Sequence, residues 1–433
     1  MTRRDRLPFP AVIGVLLIMV GLLLRDGRTL ALAVPFVVYT GAWWVAAVRC
    51  PRPCVQLRRS LSSERVDEGR TVDVVLSVEN GGRSLACMAL HDGPPPGAEI
   101  SSGHTSFLGE LPAGRRACVE YTLRAPRGEH AGTGTRITVW GGLPLCSRTV
   151  HVPCEERFLV LPMVRPLPSL PIRPRRTRVY SGIVKARAGG PGVEFFGCRE
   201  YVSGDDVRRI NWRAYAQRGE LIVNECEQER VADVHVVLDA RAATNAVGGA
   251  VPLFDAAIHA ASSMACHFLD RGNYVGLLIY GDVLDWTYPG YGNPQKARIL
   301  NALALAEPRD KPAFADLRSL PTRLFPSNTQ LIVISPLVGR DDVRILGTLR
   351  ARGYDLLLVC PSGLRAERAH WEAVWPKKKE ALEVAERLLL LERELLLGAL
   401  RRLGIVVVDW DLMEPLEDAV APAAAWLRGG ATR

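Results

Sequence analysis

Residues 7–24 and 30–48 are two apolar runs, each about the length a helix needs to span a bilayer, and only Arg25-Asp26-Gly27-Arg28 lies between them. So short a connection predicts a transmembrane hairpin with both ends on one side. From 55 to 162 the pattern changes to period two. Residues 71–79 and 117–124 alternate as half-buried strands do, and Asn80-Gly81-Gly82, Pro94-Pro95-Pro96-Gly97 and Pro112-Ala113-Gly114 supply turns. Short strands at that spacing predict a β-sandwich-like domain. Residues 163–191 carry repeated prolines (Pro166, Pro168, Pro171, Pro174) among arginines, which predicts a semi-extended linker without regular elements.

After residue 231, short apolar runs alternate with helical spacing. Strands are expected over 234–238, 274–280, 284–288, 331–334, 354–359 and 405–409, and helices over 253–269, 294–306, 341–351, 365–403 and 417–427. The second and third strands read as a hairpin around Gly281-Asp282. Alternation of this kind predicts a doubly wound, mostly parallel sheet with helices on both faces. The chain is therefore expected to be multi-domain: a two-helix transmembrane hairpin (1–50), a β-sandwich-like domain (51–162), a Pro/Arg-rich linker (163–191), a charged and aromatic stretch (192–230) and an α/β domain (231–433).

Composition refines this picture. A chain of 433 residues has room for two or three cores. Its formal charge of +9 sits in linkers and membrane flanks without a nucleic-acid-binding motif, so no nucleic acid is expected as a partner. Arg3, Arg4 and Arg6 precede the first apolar run and Arg49, Arg52, Arg58 and Arg59 follow the second, against Arg25 and Arg28 in the turn. The positive-inside rule then puts both termini and the soluble domains in the cytoplasm, with the lipid bilayer as a partner. The ten cysteines form no Cys-x-x-Cys pair, and most read as small buried apolar residues of a reduced compartment. His91, His104, His130 and His151 are too dispersed to argue a metal site and read as surface or turn residues. Leucine runs at 388–391 and 395–397 require burial against the sheet or a partner helix.

Between 192 and 230, charged residues are interleaved with aromatic ones around a Ser203-Gly204-Asp205 turn. On one reading Asp205 and Asp206 cap a turn or helix and arginines pair with them. On the other, arginine and aromatic side chains form a recognition surface. The order Glu194-Phe195, Gly197-x-Arg199-x-Tyr201, Gly204-Asp205-Asp206-x-Arg208-x-Ile210-x-Trp212 and Leu221-x-Val223 resembles the signature of the bacterial domain of unknown function family 58. The resemblance implies a von Willebrand A-like α/β domain behind a membrane hairpin, and a MoxR-type AAA+ ATPase as partner. It makes Glu194, Phe195, Arg199, Tyr201, Gly204, Asp205, Asp206, Arg208 and Trp212 the interaction or structural signature.

Open α/β sheets bind ligands at the carboxyl ends of their strands, which directs attention to Asp239 and Ser335. Metal-binding von Willebrand A domains carry Asp-x-Ser-x-Ser at the first such end and Thr-Asp or similar at a later one. Here these positions read Asp239-Ala240-Arg241-Ala242-Ala243 and Ser335-Pro336, a degenerate metal site. With two hydroxyls and a second carboxylate missing, too few hard oxygens remain for magnesium, and neither metal nor cofactor is expected. Arg241 either points to solvent or pairs with Asp239 in the cation's place. No nucleophile elbow, phosphate loop or His-Glu-x-x-His motif is present, and no catalysis is expected. The expected function is a membrane-anchored protein-interaction scaffold or adaptor. A metal-dependent ligand binder would need the missing oxygens, and a hydrolase would need Asp239 to converge with a histidine such as His235 or His259.

Overall fold

The computed structural model describes residues 2–4, 8–49, 53–140, 147–170, 178–231, 233–242, 253–281, 285–308, 325, 329–337 and 339–429. It divides into two compact units, Met1–Leu161 and Pro162–Arg433. In the first, helices α1 (Pro8–Leu24) and α2 (Gly27–Arg49) pack together at two glycines. A Cβ on Gly14 would stand 3.1 Å from the Phe36 Cβ, and one on Gly21 2.9 Å from the Leu30 Cγ. Most of their large apolar side chains face outward all the same. Gly27–Ala46 is long and apolar enough to cross a membrane, and Phe9–Leu24 is a shorter apolar helix.

The strands of this unit are β1 (Thr2–Arg4), β2 (Val55–Leu61), β3 (Arg65–Asp67), β4 (Val72–Asn80), β5 (Leu85–Gly93), β6 (Glu99–Gly103), β7 (Ser106–Leu111), β8 (Arg116–Arg124), β9 (Gly128–Ala131), β10 (Gly134–Trp140), β11 (Ser147–Val152) and β12 (Arg157–Leu161). Two antiparallel sheets, ordered β1-β11-β10-β5-β7 and β2-β4-β8-β6, share a core of Val74, Leu76, Leu90, Val119, Leu123, Ile137 and Val139. β4 buries every second residue, as its alternation predicts. Because β1 pairs with β11, the chain before α1 and the chain after α2 meet in one sheet.

Three expectations change here. Arg59, counted as a membrane-flanking charge, lies at an inward position of β2 with its side chain 3% exposed. Its Nη2 donates to the Tyr121 hydroxyl at 2.7 Å and stands 3.1 Å from Asp92 Oδ2. The Tyr121 and Thr135 hydroxyls donate to the same carboxylate at 2.6 and 2.8 Å, so both Asp92 oxygens are engaged, while Arg59 Nε stays buried without a partner. His130 is buried, not superficial: Nε2 donates to the Pro126 carbonyl at 2.6 Å and the ring stacks on Phe158. Among the described cysteines only Cys266 and Cys360 are buried. Strand parity turns others outward, as at Cys118 on β8.

In the second unit, β13 (Arg178–Glu200) and β14 (Ile222–Val231) pair antiparallel through several register shifts. This corrects the linker expectation. Pro191 falls in the irregularity between Gly190 and Phe195, where a missing N–H costs no ladder bond. The residues before β13 are extended but docked: Arg165 N donates to Ser263 Oγ at 2.9 Å, Ser262 Oγ to the Met163 carbonyl at 2.8 Å, and Leu170 is buried.

The remaining elements are β15 (Asp233–Asp239), α4 (Leu253–Leu269), β16 (Tyr274–Tyr280), β17 (Asp285–Gly290), α5 (Gly292–Leu305), β18 (Gln330–Ile334), α6 (Arg340–Ala351), β19 (Asp355–Ser362), α7 (Leu364–Val374), α8 (Lys379–Arg402), β20 (Val406–Asp411) and α9 (Leu416–Gly429), with α3 (Trp212–Arg218) between β13 and β14. The strands order as β17-β16-β15-β18-β19-β20, parallel except for β17. Asp282 and Leu284, expected at the β16–β17 turn, lie outside the described residues. Val236 and Leu238 join a core with α4, α5 and α9, while Val237, Leu331 and Val333 join another with α6 and α8. The single helix expected over 365–403 is broken into α7 and α8 at Pro376, which has no N–H for the helix ladder. The chain leaves β15 for β16 on one side and later returns to β18 on the other, so the carboxyl ends of β15 and β18 open a switch-point crevice.

Burial pushes the His235 and His267 imidazoles down to about 4; the Arg271 charge adds to the effect at His267. The unfolded chain therefore binds protons that the folded one refuses between about pH 6.5 and 4. Stability is full above that window and falls as the pH drops through it, by about 2 kcal/mol per histidine between pH 7 and 5. His235→Phe, whose ring keeps the stack on Trp286, removes one share, so urea denaturation at pH 7 and pH 5 should differ less for the variant than for the wild type.

Candidate functional site

The last residue of β15 is Asp239, and two residues on the chain turns Arg241 back over it. Arg241 N and Nε donate to Asp239 Oδ1 at 3.1 and 2.9 Å, and Nη2 to Oδ2 at 2.7 Å. The far edge of the guanidinium donates to Asp342, Nη1 to Oδ1 at 3.2 Å and Nη2 to Oδ2 at 3.0 Å. Ser335, just past β18, donates Oγ to Asp239 Oδ2 at 2.6 Å and accepts from Leu337 N at 3.1 Å. All four residues are buried, none more than 3% exposed. Burial pulls the Arg241 guanidinium down, and the hydrogen bonds and charges of Asp239 and Asp342 more than reverse this, leaving it above the ordinary arginine value.

Sequence reasoning found Asp239, Arg241 and Ser335 and missed Asp342. The second carboxylate, expected to be absent, is supplied by the first turn of α6, where the helix N-terminus favours a negative charge. The signal was the Asp341-Asp342 pair opening the helix after β18. Two carboxylates and a hydroxyl are thus brought together, and the guanidinium lies between the carboxylates. Arg241 does not point to solvent; Ala243 lies outside the described residues. Among the described residues, no group of three or more His, Cys, Asp and Glu could hold a metal ion.

Asp239 does not converge with His235 or His259. His235 lies four residues before Asp239 on β15, about 13 Å away along a strand, and its ring is enclosed by Trp286 and Phe325. α4, which carries His259, covers the opposite face of the sheet. Both Asp239 oxygens are already engaged.

The signature forms an exposed tip between β13 and β14. Arg199 donates Nη1 and Nη2 to the two Asp205 oxygens, both at 2.7 Å, and Val202 N donates to Asp205 Oδ2 at 2.9 Å. The Arg199 bond, with that backbone N–H, lowers the Asp205 carboxyl to about 2. Gly204 has φ +110°, open to glycine at no steric cost. Asp206 caps the short helical turn Val207–Arg209 through Arg208 N at 3.0 Å, and Asn211 caps α3 through Ala214 N at 3.1 Å. Tyr201 is half-buried and donates its N–H to the Leu221 carbonyl; the Arg208 side chain is exposed. Trp212 is 59% exposed, edge-on to Tyr215. Glu194 and Phe195 lie in β13, their side chains outside the described residues. The capping reading accounts for Asp205 and Asp206, but the aromatic side chains remain outward. From the tip the chain runs the length of β14 before it enters β15 at Asp233, the end of that strand opposite Asp239.

Residues 197–357 match the family model described as "Protein of unknown function DUF58". This chain carries a DUF58 segment. The match opens inside β13 and closes in β19, so it takes in the tip from Arg199 to Trp212 and all four residues of the Arg241 network, while Glu194 and Phe195 precede it. No curated protein matches the sequence significantly. Among solved structures, the amoB cupredoxin domain of Nitrosocaldus yellowstonii aligns at 12% identity over 30% of this chain and 99% of its own, with a TM-score of 0.20. Escherichia coli alpha-2-macroglobulin, from domain MG7 to its C-terminus, aligns at 14% identity over 25% of this chain and 24% of its own, at 0.19. The FixG-related protein of Vibrio parahaemolyticus aligns at 10% identity over 25% and 98%, at 0.17. Scores this low carry no inference for this chain.

Arg241→Ser leaves two buried carboxylates uncompensated and should cost about 3–5 kcal/mol in urea denaturation. Asp342→Asn on that background removes one of the two charges and should recover part of the loss. Equal stability of Arg241→Ser and wild type would contradict the network's role.

Proposed function

We propose that this chain is a membrane-anchored scaffold or adaptor that presents its signature tip to a MoxR-type AAA+ ATPase. The observation that carries the reading is the tip itself, a short motif held rigid by Arg199, Asp205 and Asp206 while Trp212, Tyr215, Val202 and Val207 face outward. Exposed aromatic residues beside arginines on a braced backbone are what a protein contact uses.

The α/β unit is read as a doubly wound von Willebrand A-like domain. Its strand order, the hairpin after the first helix and the site at the switch point support this. Arg241 takes the place of the cation there, so partner binding needs no metal. The anchor is read as two spans, α1 and α2, because both present apolar side chains outward and because only Arg25 and Asp26 separate them, which puts their outer ends on one side. The arginines at those ends favour the cytoplasmic side for both termini and both units.

The test is affinity purification from gently solubilised native membranes, comparing the intact protein with an Arg199→Ala, Asp206→Ala variant confirmed as folded. An AAA+ ATPase should be enriched with the intact protein and lost with the variant. Equal recovery with both would move the contact away from the tip, and recovery with neither would overturn the partner assignment.

A further inference from the structure

We propose that α8 pairs with the α8 of a second copy of this chain, as an antiparallel two-helix coiled coil. The inference goes beyond the scaffold reading and does not depend on it.

α8 is apolar on two faces. One faces its own unit: Leu397 and Leu400 are buried, Glu386 pairs with Arg368 of α7, and Arg393 Nη2 donates to the Cys360 carbonyl at 2.6 Å. The other faces outward. Val384, Leu388, Leu391 and Leu395 are 67, 60, 58 and 63% exposed. Their spacing of four, three and four is that of a coiled-coil seam, opposite the face that α8 buries. Ala381 and Gly398 continue the seam at either end, and a Cβ on Gly398 would meet nothing within 4 Å.

The seam is complementary to its own inverted copy. With Leu388 opposite the partner's Leu391, Val384 meets the partner's Leu395 and Ala381 the partner's Gly398. The flanking positions, seven residues apart, are Glu380, Arg387, Glu394 and Arg401, which alternate in sign and are all exposed. In the same register Arg387 faces the partner's Glu394 and Glu380 the partner's Arg401. The two-fold axis makes each pair twice, with no like charges opposed along that edge. A parallel pairing would instead set Arg387 against the partner's Glu392 and leave Glu380 and Glu394 against the partner's Ala385 and Ala399. Arg387 now pairs with Glu383 on its own helix at 2.7 Å, an exposed contact that yields readily to another carboxylate. Anionic lipid is the poorer occupant, because Glu383, Glu392 and Glu394 border the seam.

The test is cysteine cross-linking of the full chain in native membranes under a mild oxidant, with the parent protein giving the background of its own cysteines. Leu388→Cys with Leu391→Cys should form a disulfide-linked homodimer, whereas Leu388→Cys alone should not, its thiol lying about one helical turn from its symmetry mate. Adding Arg387→Glu should lower the dimer yield several-fold, and adding Glu394→Arg as well should restore it. These charges are exposed, so folding is not at stake. No homodimer, a cross-link to a protein of another mass, equal dimerisation of the Leu388→Cys single variant, or no response to charge reversal would each overturn the proposal.

Discussion

Two carboxylates buried at the end of a sheet are unstable neighbours unless a positive charge meets both, and Arg241 is that charge. Its planar fork closes on Asp239 from one edge and on Asp342 from another, which a lysine could not do. The bonds tie β15 to α6, and Ser335 adds the exit of β18. Three segments far apart in the chain are thereby held at the switch point of the sheet. A position that in many open sheets is left free for a ligand is here filled by the protein's own side chain. The triad keeps a net negative charge, offset in part by the N-terminus of α6.

The first unit uses the same device. Arg59 and Asp92 lie between its two sheets, bonded through Tyr121 and Thr135, although Arg59 Nε is left without a partner. The features left for contact with other molecules are on the outside: the lipid-compatible faces of α1 and α2, the signature tip, and the outward seam of α8. These exposed surfaces are the ones the proposed scaffold role would use.

Much of this was legible in sequence because it rests on local periodicity. The strand run ending in Asp239, the alternation of β4 and β8 and the helical spacing of α4 each report a single element. The unread parts depend on contacts between distant residues. An aspartate in the first turn of a helix is ordinarily a solvated dipole partner, so nothing local marks Asp342 as the acceptor for an arginine 101 residues earlier. Arg59 followed a membrane run and read as a flank, although its parity with Val55, Leu57 and Leu61 on β2 places it inward. Prolines dominated the reading of 163–191 and concealed a strand whose single proline lies in a bulge. The leucines of α8 were read as calling for one cover, the sheet or a partner helix, but they divide between an inner face and an outer one.

The central claim is that Arg241 occupies the place of a cation. Calorimetric titration of the wild-type protein with manganese, a divalent ion that hard oxygen ligands accept, tests it most directly. The account predicts no saturable binding at the strand ends. Saturable binding that Asp342→Asn abolishes would contradict it, because the two carboxylates would then be open to a metal in spite of the guanidinium between them.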